Sequence, residues 1–194
     1  MEHMRRFRFL EAAGVFFVTA GVYTLNYMHI WAGYAHWTAM IGAANGSAWE
    51  QTKTLALPFV FYSVLEFFVT DIPFKRYFAA KAAGLASVYA VLFAFSLIYP
   101  GDLYFVDAVS VVVWAALAFS VSYRLTSGKR IKPEKHFEQS VFVSGILMFM
   151  IFCFTVNPPK TNLFKDPGTG VYGIPKADIN KITEYMERYF PFAK

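Results

Sequence analysis

Residues 45–53 read Asn-Gly-Ser-Ala-Trp-Glu-Gln-Thr-Lys, which puts an amide, a hydroxyl, an indole, a carboxylate and an ammonium within nine residues. Glu50 and Lys53 are three apart, so on a helix they are neighbours on one face. An ammonium beside the free N–H groups of a helix start favours a small anion or a lipid headgroup, and a buried carboxylate next to it could serve as general base. Asp107 lies five residues past Asp102 and is expected at a matching depth, as a second carboxylate beside Lys53. The catalytic candidates are therefore Glu50 and Asp107, and the ligand-binding candidates here are Asn45, Ser47, Trp49 and Lys53. A plainer reading stands beside this one. Ser47-Ala48-Trp49-Glu50 fits a capping box, in which hydroxyl and carboxylate satisfy free N–H groups at a helix start. The ions could equally form a network that fixes helix register. The cap accounts for Ser47 and Glu50, but not for Asn45 or for Lys53 one turn further on.

A second pair is Glu66 and Lys81. Glu66 stands five residues before Asp71 and Lys81 six after Lys75, on opposite arms of one hairpin, so their depths match. An inner ion pair is expected, the alternative being that Lys81 snorkels alone to the interface. Glu50 and Glu66 are 16 residues apart, roughly 24 Å along a helix, and do not form one catalytic pair. Pro58 lies between them and removes one backbone hydrogen bond. His29 and His36, with Glu50, are the candidates for a metal, but a spacing of seven is not a compact ligand motif and no Cys is near. No phosphate loop, nucleophile elbow or HExxH motif is present. Neither a metal nor a cofactor is expected, and Cys153, the one cysteine, forms no intrachain disulfide.

The elements that must position these groups follow from composition. Of 194 residues, 57% are hydrophobic and only 16% charged, where a soluble domain carries about 25% charged residues. A core cannot absorb that much Phe, Val and Ala, so the surroundings must be apolar. The expectation is an all-α membrane protein with five transmembrane helices, at about 9–30, 50–70, 76–99, 103–124 and 137–156. Residues 1–156 would form the transmembrane domain and 157–194 a tail. Arg5, Arg6 and Arg8 precede an apolar stretch long enough to span, which favours a retained first helix over a cleaved signal peptide.

Lys75, Arg76, Arg124, Lys129, Arg130, Lys132 and Lys135 fall at the same end as those arginines, while 31–49 and 100–102 hold no Lys or Arg. The N-terminus is therefore expected in the cytoplasm and the tail outside. The net charge of +5 reads as bilayer orientation, with no nucleic-acid partner. The uncharged 31–49 segment, with Trp31, Tyr34, Trp37 and Trp49, is expected to be interfacial or re-entrant. Residues 176–190 place Ile179, Ile182, Met186 and Tyr189 at helical spacing. They read as an amphipathic helix lying on the bilayer or contacting a second copy or a membrane-protein partner.

The stretch NGSAWEQTKTLALP, AKAAG at 80–84, Asp107, and PPKTNLFKDPGTGVYGI at 158–174 together resemble a family of small uncharacterised prokaryotic integral membrane proteins. The resemblance runs from about Leu25 to Ile174 and implies five spans in the plasma membrane of a bacterium or archaeon, with no established activity. Asn45, Ser47, Trp49, Glu50, Lys53, Pro58, Glu66, Lys81, Asp107, Asp166, Thr169, Gly170, Tyr172 and Gly173 match its pattern. The pattern has histidine where this chain has Asn26 and Gln51, and glutamate where it has Gly46, which weakens any metal-centred chemistry. Asp166-Pro167-Gly168-Thr169-Gly170 is turn chemistry. Folded over the outer helix ends, it adds Asp166, Thr169 and Tyr172 to the ligand-binding candidates, or else tethers the tail. Three functions fit: an outward-facing site for a small anionic or headgroup ligand, an oligomeric transporter or channel, and an accessory subunit of a membrane complex.

Overall fold

A computed structural model of the chain describes residues 2–33, 35–98, 108–128 and 131–174. Its elements are α1 (Glu2–Trp31), the short α2 (His36–Ile41), α3 (Ala48–Phe67), α4 (Phe74–Ile98), α5 (Ala108–Ser127) and α6 (Phe137–Val156). Among the described residues the only β pairing is an isolated bridge between Lys165 and Tyr172. The 100–102 turn, Asp107 and the 176–190 segment lie outside the described residues.

Four stretches, Met4–His29, Phe74–Ile98, Ser110–Ser127 and Pro133–Val156, are long and apolar enough to cross a membrane. The fifth expected span, α3, is not among them. It is 20 residues long, but Glu50, Gln51, Lys53 and Glu66 lower its hydropathy. Burial accommodates those groups. Glu50, Lys53, Glu66, Trp49, Leu55 and Phe59 are all buried, and α3 touches α1, α2, α4, α5 and α6. It is the axis of the bundle, and Pro58 lies within its unbroken run.

The other long helices turn apolar side chains outward. Phe9, Phe16, Phe95, Leu97, Ile98, Phe142 and Phe149 are exposed, which only an apolar solvent makes cheap. α1 begins seven residues before the expected boundary because its basic turn continues the helix. α5 runs to Ser127, past the expected 124, because Arg76 of α4 caps its end. The guanidinium donates to the carbonyls of Thr126, at 2.9 Å, and Gly128, at 2.5 Å. The 31–49 segment folds back onto α1, where the Ala43 N–H donates to the Leu25 carbonyl at 3.3 Å.

The centre of the bundle is apolar. Val18 and Val22 of α1, Leu55, Ala56 and Phe59 of α3, Val88 of α4 and Ala115 of α5 form one cluster. α4 and α5 approach closely at Gly84, where any Cβ would collide with the Ala118 carbonyl. Gly84→Val is accordingly expected to cost about 1–3 kcal/mol through overpacking, read as a lower Tm of the detergent-solubilised protein. An unchanged Tm would mean that the two helices separate freely there.

Candidate functional site

The N-terminal end of α3, the end expected to face outward, begins with a cap. Ser47 is its N-cap and accepts from the Glu50 N–H at 3.3 Å. The capping box is only half built, because the Glu50 carboxylate does not return to the Ser47 N–H. That N–H donates to Asn45 Oδ1 at 2.8 Å instead. The carboxylate is drawn to a stronger partner, Lys53, whose Nζ lies 2.6 Å from Glu50 Oε2.

Lys53 is 0% exposed and Glu50 2%, so every polar atom needs a partner. The three ammonium protons go to the Ala39 carbonyl at 2.6 Å, Glu50 Oε2 at 2.6 Å and Thr155 Oγ1 at 3.0 Å. Glu50 Oε2 also accepts from the Ala44 N–H at 2.9 Å, and Oε1 lies 3.0 Å from the Thr155 hydroxyl. One cation meets one anion, and both are saturated by protein groups from α2, α3 and α6. An anion entering here would have to displace one of the three acceptors from Lys53.

Asn45 holds the tail. Its amide donates to the Gly173 carbonyl at 2.7 Å. Trp49 is the floor on which the tail lies: Phe164 packs against it at 5.0 Å between ring centroids and Phe154 at 5.4 Å, with Tyr89 on another side at 5.7 Å. Its Nε1–H is buried without an acceptor among the described residues. The Asp166 carboxylate is consumed within its own turn, by the Gly168 N–H at 2.9 Å and the Thr169 hydroxyl at 2.8 Å. Asp166 and Thr169 are therefore not brought to Lys53, and Tyr172 packs at the edge of the core. A Cβ at Gly46 would sit 3.0 Å from Asp166 Oδ1, so a glutamate there would press one carboxylate onto another.

His29 is buried, with Nδ1 2.8 Å from the Thr38 hydroxyl, and His36 opens α2. Among the described residues no group of three or more His, Cys, Asp or Glu is placed to hold a metal ion.

The C-terminal end of α3, the end expected to face inward, has a different balance. Lys81 Nζ lies 2.5 Å from Glu66 Oε2 and 3.0 Å from Glu11 Oε2. Glu66 Oε2 also accepts from the Tyr77 hydroxyl at 2.8 Å, and the Ser122 hydroxyl donates to Glu11 Oε1 at 3.1 Å. The ammonium also lies over the Phe119 ring, 4.5 Å from its centroid. Four helices meet at this one cluster. Residue spacing pointed to Glu66 and Lys81 but passed over Glu11, although a carboxylate inside the first apolar run was signal enough. Thr155, Ser122 and Tyr77 had no such signal.

Beside this cluster, α3, α4 and α6 leave a groove of about 600 Å³. Its walls include Phe59, Phe67, Phe78, Leu85, Val141 and Met148, and its polar groups are Ser63, Tyr77, Ser144 and Lys81. The apolar layer of Val18, Val22, Leu55, Ala56 and Val88 lies between the two ionic clusters.

Residues 1–174 match a family of unknown function (DUF6512), and the chain belongs to it. No curated protein and no solved structure matches the chain.

Breaking the outer pair from one side leaves a buried charge alone. Lys53→Met is expected to cost about 3–5 kcal/mol and Thr155→Val about 1–3 kcal/mol, measured by denaturation in detergent. The double variant Glu50→Gln with Lys53→Met should recover much of the single-variant loss. Additive losses would show that the two groups do not interact.

Proposed function

We propose that this member of a family of unknown function is a five-span protein of a prokaryotic plasma membrane that holds the hydrocarbon chain of an amphiphile. The chain would lie in the groove between α3, α4 and α6, with its polar group towards Ser63, Tyr77 and Lys81. The groove carries this reading. Its volume of about 600 Å³ is that of a small-molecule site, and an apolar wall with a few convergent polar groups is the usual lining. Its rim includes Val60, Val64, Phe68, Phe74 and Val141, all exposed. A hydrocarbon chain can therefore enter sideways from the bilayer without crossing water.

α3 supplies the fifth span. Its length of 20 residues matches the hydrocarbon thickness, and its ionisable groups face the bundle, where intramembrane charges are tolerated. The basic residues at the ends of α1, α4, α5 and α6 support a cytoplasmic N-terminus and an outer tail. The outer polar cluster, whose residue pattern suits a small anion or headgroup, is read here as a latch that fastens the tail. A transport path within one copy would have to break the apolar layer between Lys53 and Lys81. A channel formed between copies is the form of the transporter reading that this layer leaves.

Protein extracted from its own membranes in mild detergent is expected to carry lipid visible by native mass spectrometry. Ala82→Phe and Gly145→Trp, both on the groove wall, should lower that retention several-fold without unfolding the protein. Equal retention in all three would sink the proposal. For orientation, in a Cys153→Ser background, Lys160→Cys should react with a membrane-impermeant maleimide on intact cells, and Lys132→Cys only after permeabilisation. The opposite pattern would reverse the topology.

A further inference from the structure

We propose that Glu11, Glu66 and Lys81 form a proton-binding site, with one exchangeable proton that resides on Glu11. The site stands whether or not an amphiphile fills the groove. All three residues are buried, at 4%, 2% and 5% exposure, and they come from α1, α3 and α4. With both carboxyls ionised the cluster holds two negative charges against one positive. The other groups facing it do not correct the difference. From α3, the Tyr62 hydroxyl donates to the Leu10 carbonyl at 2.6 Å. From α4, Tyr77 is a neutral phenol whose one hydroxyl lies between the Ser63 carbonyl and Glu66 Oε2. From α5 come the uncharged Ser122 and the Phe119 ring. The nearest guanidinium with described bonds on α4, Arg76, is committed to carbonyls at the end of α5. α6 contributes Ser144 and Met148 to the groove wall beside Lys81.

An uncompensated buried charge costs several kcal/mol, so the cluster takes up one proton. A carboxylate and a hydronium become a carboxylic acid and water, and the cluster passes from one net negative charge to none. Hydrogen bonding decides which carboxyl receives it. Glu66 Oε2 already faces two donors, Lys81 and Tyr77, and Glu66 Oε1 is buried with no partner among the described residues. A proton on Glu66 Oε1 would find nothing to donate to among the described residues, and one on Oε2 would neutralise the carboxylate that holds Lys81 more closely, at 2.5 Å against 3.0 Å for Glu11. Glu11 Oε1, by contrast, lies 3.1 Å from Ser122 Oγ, and a serine hydroxyl can turn round and accept. Glu11 therefore stays protonated against Ser122 while Glu66 stays ionised against Lys81.

The proton count follows from charge alone and can be read by infrared spectroscopy of the full-length protein in lipid vesicles at neutral pH. The wild type is expected to show a carboxylic-acid C=O band that Glu11→Gln removes. Glu66→Gln should remove the same band, because Lys81 then faces one carboxylate and no proton is needed. Lys81→Met should double it, because both carboxyls must then be neutral. The amide bands in the same spectra report whether each variant is folded, and the two Gln variants preserve side-chain shape. No difference between the wild type and Glu11→Gln, or survival of the band in Glu66→Gln, would overturn the proposal.

Discussion

Hydrocarbon offers no partner to an ion, so every charge on a membrane helix has to find its counterpart within the protein. α3 carries three ionisable residues, Glu50, Lys53 and Glu66, in 20 positions, and this is what organises the bundle. It has to be surrounded. α1 brings Glu11, α4 brings Lys81 and Tyr77, α5 brings Ser122 and α6 brings Thr155. The remaining helices are arranged by what they deliver to α3, and their outward faces are free to be uniformly apolar.

The two ends of α3 meet the same constraint in opposite ways. At its N-terminal end one carboxylate and one ammonium neutralise each other, and backbone groups and one hydroxyl supply their further hydrogen bonds. A cluster of that kind is rigid and suits fastening. At its C-terminal end the charges are unequal, one carboxylate oxygen has no donor among the described residues, and a groove opens alongside. That cluster can change state, since adding or removing one proton alters its charge without dismantling its geometry. The apolar layer between the two ends isolates them from each other.

Much of this was legible in the residues. Apolar runs located the long helices, because 20 apolar residues have few other uses. Glu66 and Lys81 could be matched because hairpin arms of similar length put them at one depth. Glu50 was harder to interpret, since a capping box and an ion pair compete for the same carboxylate and the charged partner wins. Asn45 was recognised as unexplained, yet its role needs Gly173, and nothing local says that these two residues meet. Thr155 is invisible for a related reason. A threonine in an apolar run normally bonds its own helix, as Thr155 also can through the Ile151 carbonyl at 2.9 Å. Its contact with Lys53 depends on how α6 is placed against α3, which is a property of packing and of no segment alone.

The tie between Asn45 and Gly173 joins residues 128 positions apart, and Lys53 waits for a hydroxyl 102 positions further along. A chain made from its N-terminus contains α3 long before either partner exists. Until α6 and the tail arrive, the N-terminal end of α3 holds an ammonium short of one acceptor and an indole lacking its covering ring, Phe164. The N-terminal end of α3 is thus completed by segments made after it, and a chain that stops short of them leaves these polar groups unmatched.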